Sequence, residues 1–157
     1  MDDRTVVHST FAIERRFSAT PERVFAAFQD PAKKRRWFAE GEGFSVKEYK
    51  SDFRVGGFER TRFLASGESP IKGAVLANDT NYHDIVPNRR VVFAYTMTVA
   101  DKRISASLST VELLPADSGT NLVYTEQAAF FEGADGPQVR TEGWRHLFEA
   151  LEKELAG

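Results

Sequence analysis

Residues 137–156, PQVRTEGWRHLFEALEKELA, decide the fold. Trp144, Leu147, Phe148, Leu151 and Leu155 recur at helical spacing and share one narrow face, while Arg145, Glu149, Glu152 and Lys153 occupy the other. At ~1.5 Å rise per residue the helix is about 30 Å long, the width of a small domain, so it has to lie across a broad apolar surface. Burying its five large side chains at ~1.5–3 kcal/mol each would contribute at most about 8–15 kcal/mol, on the scale of a whole domain's net stability.

Upstream, the chain supplies that surface. Residues 5–17 alternate in part, with Val7, Phe11, Ile13 and Phe17 on one side, and predict a first strand. The period then changes at Ala19-Thr20-Pro21-Glu22, where Thr20 suits an N-cap and Pro21 the first helical position, opening a helix that turns Val24, Phe25 and Phe28 inward. Asp30-Pro31 repeats the start signal for a second short helix ending near Trp37-Phe38. From 43 to 131 the pattern predicts strands at 44–49, 57–64, 74–86, 90–99, 103–114 and 121–131, with a loop at 65–70. Short connections between successive strands mean antiparallel neighbours. One strand, two small helices, about six further strands and a long terminal helix make an α+β domain whose curved sheet is gripped by that helix, with space for a cavity between them.

Composition agrees. A chain of 157 residues with 41% apolar and 28% charged residues fits one soluble globular domain spanning 1–157, with no linker or repeat. Its 13 phenylalanines point to a Phe-rich core or an aromatic-lined cavity. The absence of cysteine removes disulfides and thiolate ligands and suits a reducing, cytoplasmic location. MDDRTVV holds no apolar run, so neither a signal peptide nor a membrane partner is expected, and a net charge of −2 argues against nucleic acid. The run Lys33-Lys34-Arg35-Arg36 has the pattern of a solvated helix face.

An ordered series of motifs identifies a family. RRFSATPERVFAAF at 15–28, Asp30-Pro31, Trp37-Phe38, DFRVGG at 52–57, DIVP at 84–87 followed by Arg90-Val91-Val92, SGTNL at 118–122, and Gly143-Trp144 with Leu147 and Leu151 together resemble AHSA1-like (activator of Hsp90 ATPase homologue 1-like) proteins of the START/Bet v 1-like, or SRPBCC, superfamily. The resemblance implies the helix-grip fold: a curved antiparallel sheet of about seven strands, two short helices and a long C-terminal helix. It implies no single activity, because the superfamily spans lipid binders, cyclases and dehydratase-like enzymes. Gly56-Gly57 suits a tight turn, and Gly143 close approach of the helix to the sheet.

No metal-ligand spacing, nucleotide fingerprint or P-loop occurs, so neither a metal nor another cofactor is expected. His8 and His146 read as exposed, and Ser105, Ser107 and Ser109 as a solvated or small-residue strand face. Two charged residues stand where apolar ones belong. Arg140 falls on the inward stripe, four residues before Trp144, and Glu126 shares its strand face with Leu122 and Tyr124. Each either reaches water or is held by a partner, because unpaired buried charge is costly. The pocket candidates are Trp37, Phe38, Tyr82, Tyr95, Glu126, Arg140, Trp144 and Phe148, binding a small hydrophobic or aromatic molecule. Two alternatives stay open: a cyclase or hydro-lyase using Glu126, His83 or a tyrosine on a polyketide-like or aromatic compound, and a chaperone-associated interaction protein. A homodimer also stays open.

Overall fold

The computed structural model describes residues 5–41, 43–66 and 71–157; most of the loop expected at 65–70 lies outside them. Chain order is β1 (Val7–Phe17), α1 (Pro21–Gln29), α2 (Pro31–Lys34), a π-helical turn (Arg35–Ala39), β2 (Phe44–Ser51), β3 (Phe58–Ala65), β4 (Val75–Val86), β5 (Arg90–Val99), β6 (Lys102–Ala116), β7 (Gly119–Phe130) and α3 (Pro137–Ala156). The strands form one 7-stranded antiparallel sheet in the order β1-β7-β6-β5-β4-β3-β2. This is the α+β helix-grip architecture.

Local chemistry sets the helix starts. The Thr20 hydroxyl accepts from the Arg23 amide at 3.3 Å, the Asp30 carboxylate accepts from the Ala32 amide at 2.9 Å, and each cap is followed by proline at the first helical position. The second helix departs from expectation in its last turn, which widens so that the Glu40 amide donates to the Arg35 carbonyl at 3.1 Å. That turn delivers Trp37 and Phe38 into the core, where the Trp37 indole N–H donates to the Ala27 carbonyl at 2.8 Å.

Three bulges curl the sheet: between Val46 and Glu48 on β2, between Tyr82 and Asp84 on β4, and opposite Met97 and Thr98 of β5. His83 is the extra residue of the second bulge and is exposed. α3 lies across the concave face. Trp144, Phe148 and Leu151 are buried and Leu147 and Leu155 half-buried, so the stripe is narrower than its apolar spacing suggests.

Gly143 does not serve close approach. It is exposed, and a Cβ there would meet nothing within 4 Å. A mid-helix glycine without a packing role carries only its entropic cost, so Gly143→Ala is expected to stabilise the protein by about 0.5–1 kcal/mol, read as a higher urea midpoint at unchanged slope.

Candidate functional site

The concave face of the sheet is polar at its centre. From β3 come Glu59 and Thr61, from β4 Asn78, Thr80 and Tyr82, from β5 Tyr95, from β6 Ser105, Ser107 and Ser109, and from β7 Tyr124 and Glu126. Glu59, Thr61, Ser105, Ser109 and Glu126 are all at most 3% exposed. The serine row is therefore a small-residue face under the helix, not a solvated one.

Two networks organise these groups. In the first, Glu126 accepts from Tyr95 at both oxygens (2.8 Å each), from Ser107 at 2.8 Å, from Tyr124 at 2.6 Å and from Arg140 at 3.3 Å. Arg140 also donates to Ser105 at 2.9 Å, to the Tyr95 hydroxyl at 3.0 Å and through two nitrogens to Asp135 at 2.8 Å each. Arg140 is thus the polar anchor of α3, only 5% exposed, and not a residue emerging into water at a frayed first turn. Burial opposes its charge, but the Asp135 hydrogen bond and the surrounding anionic groups outweigh that and hold the guanidinium above its ordinary range. Burial, reinforced by the Glu126 carboxylate, pushes Tyr95 and Tyr124 well above the usual phenol range, so both stay neutral hydroxyls.

The second network was not foreseen. Lys34, inside the basic run read as solvated, is buried, and its ammonium donates to both Glu59 oxygens at 2.9 and 3.1 Å. The ammonium also sits 4.3 Å from the ring centre of Phe38, 5.5 Å from Trp37 and 5.9 Å from Phe28, a cation–π environment. Tyr49 and Tyr82 donate to Glu59 at 2.8 and 3.4 Å, and burial first, then the Glu59 charge, raises both phenols.

Between the networks lies a small cavity of about 10 Å³, room for roughly one water molecule, lined by Lys34, Phe38, Glu59, Asn78, Thr80, Tyr82, Phe93, Tyr95 and Trp144. Of the candidates named from sequence, Phe38, Tyr82, Tyr95 and Trp144 reach it. Glu126 and Arg140 stand behind Tyr95, Phe148 packs on Tyr124 and Trp144, and Trp37 braces Phe28 and Phe38. The lining is more polar than expected, and the void is nearly filled by its own walls. A larger, open groove of about 190 Å³ runs between α1 and the end of α3, lined by Glu22, Arg23, Ala26, Ala27, Lys33, Glu154 and Leu155. No buried polar group converges on it, so the smaller cavity is the better site.

Among the described residues Thr61 Oγ1 is the fully buried side-chain polar atom without a hydrogen-bond partner. An unpaired buried hydroxyl is destabilising, so the isosteric Thr61→Val is expected to raise stability by about 1 kcal/mol, or roughly 2–4 °C in melting temperature by calorimetry.

With the fold and site in hand, comparison with known proteins gives the class. Residues 18–156 match the family model described as activator of Hsp90 ATPase homolog 1-like protein, and the chain belongs to that family. It is similar to a solved Rhizobium loti protein at 48% identity and TM-score 0.86, covering 96% of this chain and 99% of that one. A solved Rhizobium leguminosarum protein is 38% identical with TM-score 0.87 over 96% of each chain. An AHSA1-like protein of Aeromonas hydrophila shares the fold at 18% identity, TM-score 0.70, over 94% of this chain and 92% of its own. Comparison with curated proteins gives no match. Among the described residues no helix is long and apolar enough to cross a membrane.

Proposed function

We propose that this chain is a small-molecule-binding module that receives a small hydrophobic or aromatic ligand between α3 and the concave sheet. One observation carries the reading. Aromatic walls from three elements, Phe38, Phe93 and Trp144, meet two buried ion-pair networks around one small space. A core serving only stability gains nothing from such groups, since well-packed apolar residues replace buried ion pairs at no loss. A ring does not fit a void the size of one water, so binding requires Trp144 or Phe38 to move aside.

An enzymatic role finds less support. The Glu126 carboxylate is occupied by Tyr95, Ser107, Tyr124 and Arg140, His83 is exposed on its bulge, and the Tyr49, Tyr82, Tyr95 and Tyr124 hydroxyls already donate to Glu59 or Glu126. None of these is free to move a substrate proton.

The test is native mass spectrometry of protein purified from its own source, followed by thermal-shift measurements with the compounds released. A true ligand at a hundredfold excess over its dissociation constant stabilises by ~2.7 kcal/mol, a rise of roughly 5–10 °C. A protein that carries no small molecule, and whose melting temperature no aromatic compound moves, would leave the reading without support.

A further inference from the structure

We infer that the free edge of β1 is a docking surface for a second copy of this chain, the two β1 strands pairing antiparallel about a two-fold axis through Phe11 so that each His8 faces the partner's Glu14. The inference stands apart from the cavity and goes beyond ligand binding.

A sheet edge presents a row of unpaired N–H and C=O groups, and folds blunt such edges with bulges, prolines and charges. The two edges of this sheet differ. β2 carries the bulge between Val46 and Glu48 and the exposed lysines Lys47 and Lys50, and the carbonyl of Gly43 at its entrance is taken by the Ser66 amide. β1 has neither bulge nor proline: all 11 residues from Val7 to Phe17 keep an unbroken register with β7. α3 meets it from the concave side, where Arg15 pairs with Glu152, and the Arg16 guanidinium is drawn to the Asp117 carbonyl. His8, Thr10, Ala12, Glu14 and Arg16 are all exposed.

Register says which backbone groups point outward. The β6–β7 hairpin turns through Asp117 and Ser118, so Ala116 and Gly119 close it as a hydrogen-bonded pair. Alternation along β7 then turns the even-numbered residues from Thr120 to Phe130 toward β1, where they bond the odd-numbered ones, Phe17 back to Val7. The Phe131 amide, donating to Ile104 of β6 at 2.8 Å, fits the same alternation. The even-numbered residues of β1 therefore send their N–H and C=O groups outward, and among the described residues these groups have no partner. The occupant follows from charge. His8 lies opposite Ala129 and Glu14 opposite Val123, so β7 offers neither a counter-ion. A two-fold axis on Thr10, Ala12 or Ile13 sets Glu14 against the partner's Val6, Thr10 or Ala12, all uncharged, and an axis on Glu14 sets it against its own copy. An axis on Phe11 sets Glu14 against the partner's His8 twice over, inside hydrogen-bonded pairs, and adds about eight backbone hydrogen bonds. Phe11 then meets its own copy in a non-hydrogen-bonded pair, where side chains come closest.

Sedimentation velocity of the full chain over a wide range of concentration tests this. One strand pair is a small interface, so the parent is expected to pass from monomer to dimer with a dissociation constant in the micromolar range. Ala12→Pro removes an outward N–H and puts a ring at the edge while leaving the β1–β7 bonds intact, so it is expected to stay monomeric and to melt close to the parent. Glu14→Lys and His8→Glu each set like or unmatched charges opposite one another and should each weaken the dimer about threefold to tenfold. The double variant, with both changes, re-forms the pair in reverse and should recover parent affinity to within about twofold. Six residues apart on one strand, the two side chains stand ~20 Å from each other, so such a recovery can arise only between chains. Should Ala12→Pro fail to fold, the exposed charge variants decide alone. A parent chain that is monomeric at every concentration overturns the second copy as occupant and leaves the edge to an extended segment of another protein. A dimer that survives Ala12→Pro, or a double variant as weak as the two single changes combined, overturns the pairing through β1.

Discussion

Arg140→Met is expected to cost about 3–5 kcal/mol of stability, lowering the melting temperature by roughly 10 °C or more. The substitution keeps a comparable aliphatic volume but removes the cation from among Glu126, Asp135, Ser105 and Tyr95. Asp135 is partly exposed and can turn to water, whereas Glu126 is fully buried and cannot. The penalty therefore comes from an orphaned carboxylate more than from a lost attraction, and adding Glu126→Gln should recover a good part of it. Chemical denaturation of the single and double variants reads both effects. A single variant with an unchanged midpoint would mean that Arg140 does not hold α3 to the sheet.

Gly119→Ala should be almost as damaging for a different reason. The Cβ would fall 2.0 Å from the Phe17 carbonyl oxygen, 3.1 Å from its carbon and 3.2 Å from the Ser18 Cα, all backbone atoms. No side chain can rotate out of the way. The last rungs of the β1–β7 ladder, Phe17 with Thr120 and Arg16 with Asn121, would have to part, together with the 2.7 Å bond from the Thr120 hydroxyl to the Ala19 carbonyl. A loss on the order of 3 kcal/mol is expected, at the upper end for overpacking. Gly143→Ala, the same chemical change on the open side of α3, is expected to act in the opposite direction. Melting curves of the two variants side by side would expose any error in either placement.

The fold was legible because its punctuation is local. Thr20-Pro21 and Asp30-Pro31 start helices by capping chemistry that operates within a few residues, and the stripe from Trp144 to Leu151 declares a face without knowing its partner. Half of the site was legible for a related reason. Arg140 and Glu126 interrupt otherwise apolar faces, and a charge in such a place has to be matched. The other half was hidden. Lys34 sits among Lys33, Arg35 and Arg36, and the wide turn that follows shifts the helical phase, so spacing could not say which cation points inward. Glu59 belongs to a strand with polar residues on both faces, Arg60 and Arg62 against Glu59 and Thr61, which leaves parity silent. Nor could any pattern give the volume under α3. That depends on how Trp144, Phe38 and Phe93 interlock, and a shift of about an ångström between close-packed rings separates a filled core from a cavity.

The widened turn at Arg35–Ala39 also makes the site adjustable by length rather than by substitution. It accommodates one more residue than a regular helical turn would, and the extra residue lies between Pro31, which fixes the start of α2, and Glu40, where the chain leaves for the sheet. Deleting a single residue here would restore the regular winding, leaving Pro31 and Glu40 in place while the residues between them change phase by about 100°. Phe38 would leave the wall it now shares with Trp144, and another side chain would take its place above Lys34. Insertions and deletions in this one turn would then re-cut the mouth of the cavity while the seven strands, their register and the clamp at Arg140 stay as they are. Homologues of differing length in this stretch are where a change of ligand is to be sought.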